Sequence, residues 1–139
     1  MMTSLRLVRT GSLPRVRIMS PQDAYRVLKP LAYGLDREHF WRLDLDSRRQ
    51  LLGCELISMG SLTASMAHPR EVFKGALLNN AHSIMIAHNH PSQAPSPSSA
   101  DQQTTRRLRR VGHLLRIELV DHLILTDRAY FSFKTARLL

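Results

Sequence analysis

The strongest constraint on the fold lies between residues 82 and 101. H-S-I-M-I-A at 82–87 is a short apolar run, the pattern of a strand covered on both faces, so it belongs inside a sheet. The run stops at His88-Asn89-His90-Pro91. A stretch dense in proline and serine follows, P-S-Q-A-P-S-P-S-S, too short for an interdomain linker and read as a rigid functional loop. Ser98-x-x-Asp101 then supplies the capping box of a helix. Central strand, stiff loop and helix in succession commit the chain to a sheet with helices packed on it.

The flanking segments agree. Ser20-Pro21 with Asp23 marks a helix start, and Ala24, Val27, Leu28 and Leu31 form one stripe up to Tyr33-Gly34. From His39 the period becomes two: Trp41, Leu43 and Leu45 alternate with Arg42, Asp44 and Asp46, a half-buried strand. It turns at Asp46–Arg49 into a second strand running through Leu52 to Ile57. A helix from Pro69 presents Val72, Phe73, Ala76 and Leu77 on one face and closes at Asn79-Asn80. The helix after Ser98 turns Leu108, Val111 and Leu115 inward, with Gly112 weakening its last turn. Strands at Ile117–Leu125 and Tyr130–Phe133 finish the chain. The order α-β-β-α-β-α-β-β predicts an α/β fold, one mixed sheet flanked by helices.

Composition narrows the class. The 139 residues, 43% hydrophobic, suit one globular domain, which buries roughly two thirds of its unfolded surface. A lone cysteine, Cys54, excludes an internal disulfide and a thiolate-rich zinc cluster, and suits a reducing, cytoplasmic setting. No apolar run approaches the roughly 18 residues of a membrane span. The net charge is +9, and 17 of the 20 basic residues are arginine, so nucleic acid, acidic surfaces and anionic substrates are all admissible partners. Residues 1–19, with Arg6, Arg9, Arg15 and Arg17 and no acid, read as a flexible or strand-like basic arm, although a transit peptide shares that composition. The folded domain is expected over 20–139.

His88 and His90 stand at i and i+2 of extended chain, so both imidazoles can reach one point beyond the strand end. Ten residues separate His90 from Asp101. Asp101 returns to that point if the loop, stiffened by Pro91, Pro95 and Pro97, folds back. Two neutral imidazoles and a carboxylate suit Zn2+ and leave a fourth position open, the catalytic type of site. Each part has a simpler explanation, since His-x-His pairs are common and Asp101 can be the acidic member of the capping box.

The string His88-x-His90-Pro91, six residues, Ser98-x-x-Asp101 resembles the metal motif of the JAMM (MPN+) metalloproteases. More narrowly, H-P-R-E-V-F-K at 68–74, A-H-N-H-P-S at 87–92, P-S-P-S-S-A-D at 95–101 and I-E-L-V-D-H at 117–122 resemble the RadC family, from about Val16 to near the C-terminus. The resemblance implies a JAMM fold with a cytidine-deaminase-like layout and zinc held by His88, His90 and Asp101. It departs at Gln93, where the family usually has glycine, which predicts a different loop path. It also lacks room for the family's N-terminal helix-hairpin-helix region, so the chain reads as a stand-alone catalytic-type domain.

A base is needed for hydrolysis. JAMM enzymes use a glutamate at the start of an early strand, which matches Glu38; Glu55, otherwise a surface strand residue, is the second candidate. The implied chemistry is peptide or isopeptide hydrolysis by zinc-activated water, with Glu38 carrying the proton and Ser98 donating to the oxyanion. Ser98 is equally suited to capping the helix. His68 fits the cap of the helix at Pro69, and His82 and His113 fit the surface. Asp121-His122 falls in an apolar strand, so at least one is buried and can serve behind the metal ligands.

Two other functions stand beside the peptidase. One is a DNA-associated protein acting in DNA repair or as a metal-dependent nuclease, with Arg106, Arg107, Arg109 and Arg110 as a DNA-facing patch. The other is a non-catalytic zinc-containing binding module. H-N-H here lacks the dispersed spacing of the HNH nucleases, and a deaminase would need P-C-x-x-C, which one cysteine cannot supply.

Overall fold

The computed structural model describes residues 8–9, 15–60 and 67–139. Its elements are β1 (Val8–Arg9), α1 (Pro21–Ala32), β2 (His39–Leu45), β3 (Leu51–Met59), α2 (Pro69–Leu78), β4 (Ser83–Asn89), α3 (Ser99–Leu115), β5 (Glu118–Leu125) and β6 (Tyr130–Ser132). The strands form one mixed sheet in the order β1-β3-β2-β4-β5-β6, parallel only between β4 and β5. The expected order of elements is therefore present, with the two-residue β1 added at one edge. Most of the basic arm lies outside the described residues. Its last part is ordered: Leu51 N–H donates to the Val16 carbonyl and Ile18 is buried, so packing reaches back before Ser20.

Alternation along the strands splits the core in two. Trp41, Leu43, Leu45, Met85 and Ala87 face α1 and meet Ala24 and Leu28. Phe40, Ile84 and Ile86 face α2 and α3 and meet Val72, Phe73, Ala76 and Leu108. β4 is buried along its whole length, as its unbroken apolar run requires. Leu31, Leu77 and Leu115, expected inward, are exposed, because the buried faces of the three helices run through Ala32, Ala76 and Gly112 instead.

β2 departs from the half-buried pattern. Arg42 and Asp44 are as inaccessible as the leucines beside them. Arg42 donates to Asp44 Oδ1 (2.6 Å) and Oδ2 (2.9 Å), to Glu55 Oε1 (2.6 Å) and to the Val72 carbonyl (2.8 Å). Asn79 donates to the remaining face of Asp44 at 2.7 Å. Alternating charges that look solvated are instead neutralised in place and roofed by α2. Gly75 makes the roof possible, since a Cβ there would lie 2.4 Å from Glu55 Oε1 and 2.6 Å from Arg42 Nη2.

Gly112, read as a weak point in α3, is a packing requirement. A Cβ there would stand 2.4 Å from the Ile117 carbonyl oxygen. Ile117 N–H donates to the Gly112 carbonyl, Arg116 N–H donates to that of His113, and Arg116 is left-handed. This Schellman closure turns the chain directly into β5. No described helix is long and apolar enough to cross a membrane.

Candidate metal centre

β4 delivers two histidines at its end, and α3 delivers an aspartate at its start. Both reach the same point because β4 leads through the proline-rich loop straight into α3, which packs back on the sheet. His88 Nε2 and His90 Nε2 lie 2.9 Å apart. Asp101 places Oδ1 3.3 Å from His88 Nε2 and Oδ2 3.3 Å from His90 Nε2. All three donor atoms fall within 4.8 Å of one another. His88 is fully buried, Asp101 nearly so, and His90 is the partly open member.

Hydrogen bonds behind the cluster determine which nitrogens face it. His90 Nδ1–H donates to the Ala94 carbonyl at 2.7 Å, which leaves Nε2 with its lone pair. His88 is fixed by a longer chain. Thr105 Oγ1 donates its one proton to the Asp101 carbonyl at 2.7 Å, so His122 Nδ1–H must donate to Thr105, at 2.6 Å. Complete burial, then the neighbouring His88, holds the His122 pKa well below the ordinary histidine range, so this ring is neutral. Its Nε2 therefore accepts from His88 Nδ1–H at 2.8 Å, and His88 Nε2 is left unprotonated.

The donor set fits a cation. Two imidazole lone pairs and a carboxylate converge at distances where they repel unless positive charge sits among them. Contact with Asp101 raises the His90 pKa against the opposing effect of burial. Burial by itself would raise the Asp101 pKa, but His88 and His90 hold its carboxyl far below the usual carboxylate range. Nitrogen and oxygen donors of this kind suit Zn2+, and no fourth protein ligand joins them among the described residues.

A bulge places His122. Leu119 pairs with Ile84 but Asp121 with Met85, so Val120 is the extra residue. That shift turns His122 toward α3, where strict alternation from Leu119 would have turned it away. Asp121 is buried on the other side. It accepts from Ser132 Oγ (2.6 Å), Lys134 N–H (3.0 Å) and His122 N–H (2.7 Å), and burial raises its pKa.

The two glutamates have different surroundings. Glu38 is half-buried immediately before β2, two residues ahead of Phe40, which pairs with His88, and its charge acts on His90. Asn89, between the two histidines, fixes this entry: His39 N–H donates to its Oδ1 at 2.6 Å, and its Nδ2 donates to the Arg37 carbonyl at 2.9 Å. Glu55 is not a surface residue; it is buried against Arg42. Ser98 caps α3 as expected, its Oγ accepting from Asp101 N–H at 3.0 Å while Asp101 Oδ2 accepts from Ser98 N–H at 2.8 Å. His68 caps α2, accepting from Arg70 N–H. His82 and His113 are exposed, as are Arg106, Arg107, Arg109 and Arg110.

Gln93 has a backbone conformation of its own. It adopts φ 66°, the left-handed region that glycine favours. Its side chain ties the loop down by accepting from Asp127 N–H at 2.8 Å. Asn89 and Thr105 were not singled out from the sequence. Position alone could have suggested Asn89, enclosed by two ligands; Thr105 is one helical turn after Asp101, a weaker signal.

A family model described as "RadC-like JAB domain" matches residues 18–138. A UPF0758 protein of Moorella thermoacetica is 45% identical over 128 residues, covering 92% of this chain and 56% of the relative. One from Desulfitobacterium hafniense is 47% identical over 130 residues, covering 93% and 57%. A third, from Methanosarcina acetivorans, is 46% identical over 121 residues, covering 87% and 53%. The chain thus spans about half the length of the curated relatives it matches.

Proposed function

This chain belongs to the RadC family, matching its JAB domain, and on that premise we propose that it is a zinc-dependent hydrolase that cleaves a peptide or isopeptide bond. The observation that carries the reading is the convergence of His88 Nε2, His90 Nε2 and the Asp101 carboxylate, with the charge of Glu38 acting on His90. His88, His90 and Asp101 would hold the ion. When bound, zinc supplies Lewis acidity to a scissile carbonyl and acidifies water towards neutrality.

The chain's own residues do the rest. The neutral pair Thr105–His122 keeps His88 in the tautomer that binds metal, and Ala94 does the same for His90. Glu38 accepts the proton of the attacking water at its carboxylate and returns it to the leaving amine. Asn89 holds the backbone on both sides of Glu38, which limits how far that carboxylate can wander. Ser98 accepts at the cap through a lone pair, so its hydroxyl hydrogen remains to be donated to a developing oxyanion. Such a donor typically contributes about 2.7–4 kcal/mol to the transition state.

The test is a hydrolase panel on zinc-loaded protein, with peptide and isopeptide substrates beside single- and double-stranded DNA. Cleavage of an amide bond is expected, lost in Glu38→Gln while bound zinc is unchanged. Cleavage of DNA alone, or full activity in Glu38→Gln, would overturn the assignment.

A further inference from the structure

At the other end of α3 from Asp101 lies a large open groove. Arg109, His113, Arg116, Lys134 and Arg137 line it, with a volume of about 980 Å³. A smaller hollow of about 330 Å³ continues it along α3, sharing Arg109 and His113 and adding Arg106 and Arg110. Twelve residues of helix at about 1.5 Å each set His113 roughly 18 Å from Asp101. The larger groove is thus separate from the metal centre, while the smaller hollow reaches back as far as Thr105.

Its charge is one-sided. Arg106, Arg109, Arg110 and His113 stand at i, i+3, i+4 and i+7, a single stripe along α3. Arg116 extends the stripe past the helix end, and Lys134 and Arg137 face it from the turn after β6. All are exposed, and among the described residues Glu118 is the one acidic side chain lining either hollow. Among the described residues none of these arginines is in an ion pair, whereas Arg26, Arg42 and Lys74 each are. The positive end of such a stripe is partly suited to a helix C-terminus, but that effect fades within the last turn and does not reach Arg106 or the opposite wall.

From this juxtaposition we infer that the groove binds the phosphate backbone of double-stranded nucleic acid. Six cations held at close quarters repel one another, and a polyanion with matching charge density relieves that repulsion. Duplex DNA carries one charge per about 1.7 Å of axis with both strands counted, so the roughly 15 Å from Arg106 to Arg116 spans about nine phosphates, of which about half face one side. An extended acidic peptide carries at most one charge per about 3.3 Å and turns alternate side chains away, so about two face the same length, a poorer match. Guanidinium forks suit phosphate oxygens, and among the described residues no Phe, Tyr or Trp lines either hollow for base stacking. The binding is therefore to backbone and indifferent to sequence.

The experiment is fluorescence anisotropy of the full chain with a labelled random 20-base-pair DNA duplex across salt concentrations. With about five phosphates neutralised, log affinity should fall against log salt with slope about −4.5, or about 500-fold between 50 and 200 mM. Arg109→Gln with Arg116→Gln should reduce the slope by about 2, and Lys134→Gln with Arg137→Gln should do the same. These side chains are exposed, and thermal melts confirm that each variant remains folded. His88→Ala should bind DNA unchanged. A salt-independent affinity, unchanged slopes in both double variants, or displacement of the duplex by polyglutamate as readily as by unlabelled duplex would each overturn the inference.

Discussion

Two polar clusters are buried under the same face of the sheet, and they are built in opposite ways. Around Arg42 the guanidinium donates to Asp44, Glu55 and the Val72 carbonyl, and Asn79 donates to Asp44, which closes the network on itself. Around His88 the bonds also run outward, through His122 and Thr105, but the inward atoms have lone pairs facing lone pairs. The first cluster is complete without anything added; the second is complete only with a cation. Closure separates the two clusters, and the two glutamates fall on different sides of that division. Glu55 lies in the closed cluster, and Glu38 beside the open one.

The largest effect expected from breaking this contrast is on stability. Arg42→Ala strands Asp44 and Glu55 in the core, and removing one partner of a buried pair costs about 3–5 kcal/mol. At this size that lowers the melting temperature by roughly 10 °C or more, measurable by calorimetry. His88→Ala should leave the melting temperature of the metal-free protein much closer to wild type; an equal drop in both variants would erase the distinction. Next, Glu38→Gln is expected to lower the hydrolytic rate by about 100- to 10,000-fold with zinc retained. Glu55→Gln should destabilise the fold and spare the chemistry of whatever remains folded.

Smaller effects probe the outer chain. Thr105→Val keeps shape but removes the hydroxyl that fixes His122, and loss of such a partner weakens metal binding by about 10- to 100-fold, read by chelator competition. An unchanged zinc affinity would remove Thr105 from the account. The smallest change is expected at Gln93→Gly. Relief of a left-handed side chain, about 1–2 kcal/mol, is offset by loss of the tie to Asp127, about 0.5–1.5 kcal/mol. A shift above about 2 kcal/mol in urea unfolding would show that one of the two has been misjudged.

Much of this was legible in residue order. The apolar 82–87 run, the capping boxes at Ser20 and Ser98, and the ligand spacing all depend on local chemistry, and the structure contains each. Arg42, Asp44 and Glu55 misled because alternation reports one face of a strand, while their burial depends on α2 crossing over them at Gly75. Leu31, Leu77 and Leu115 misled because the apolar pattern favours large leucines, whereas the helices bury the small residues Ala32, Ala76 and Gly112 there. His122 depended on a bulge at Val120, which no sequence period announces. Thr105 needed that bulge and the tertiary placement of α3 together.

The most direct test of the central claim is a zinc titration of chelator-stripped protein by isothermal calorimetry. The account predicts one site per chain, absent in both His88→Ala and Asp101→Ala while each variant remains folded by circular dichroism. Binding that persists at the same stoichiometry in either variant, or no binding by the wild-type chain, would contradict it.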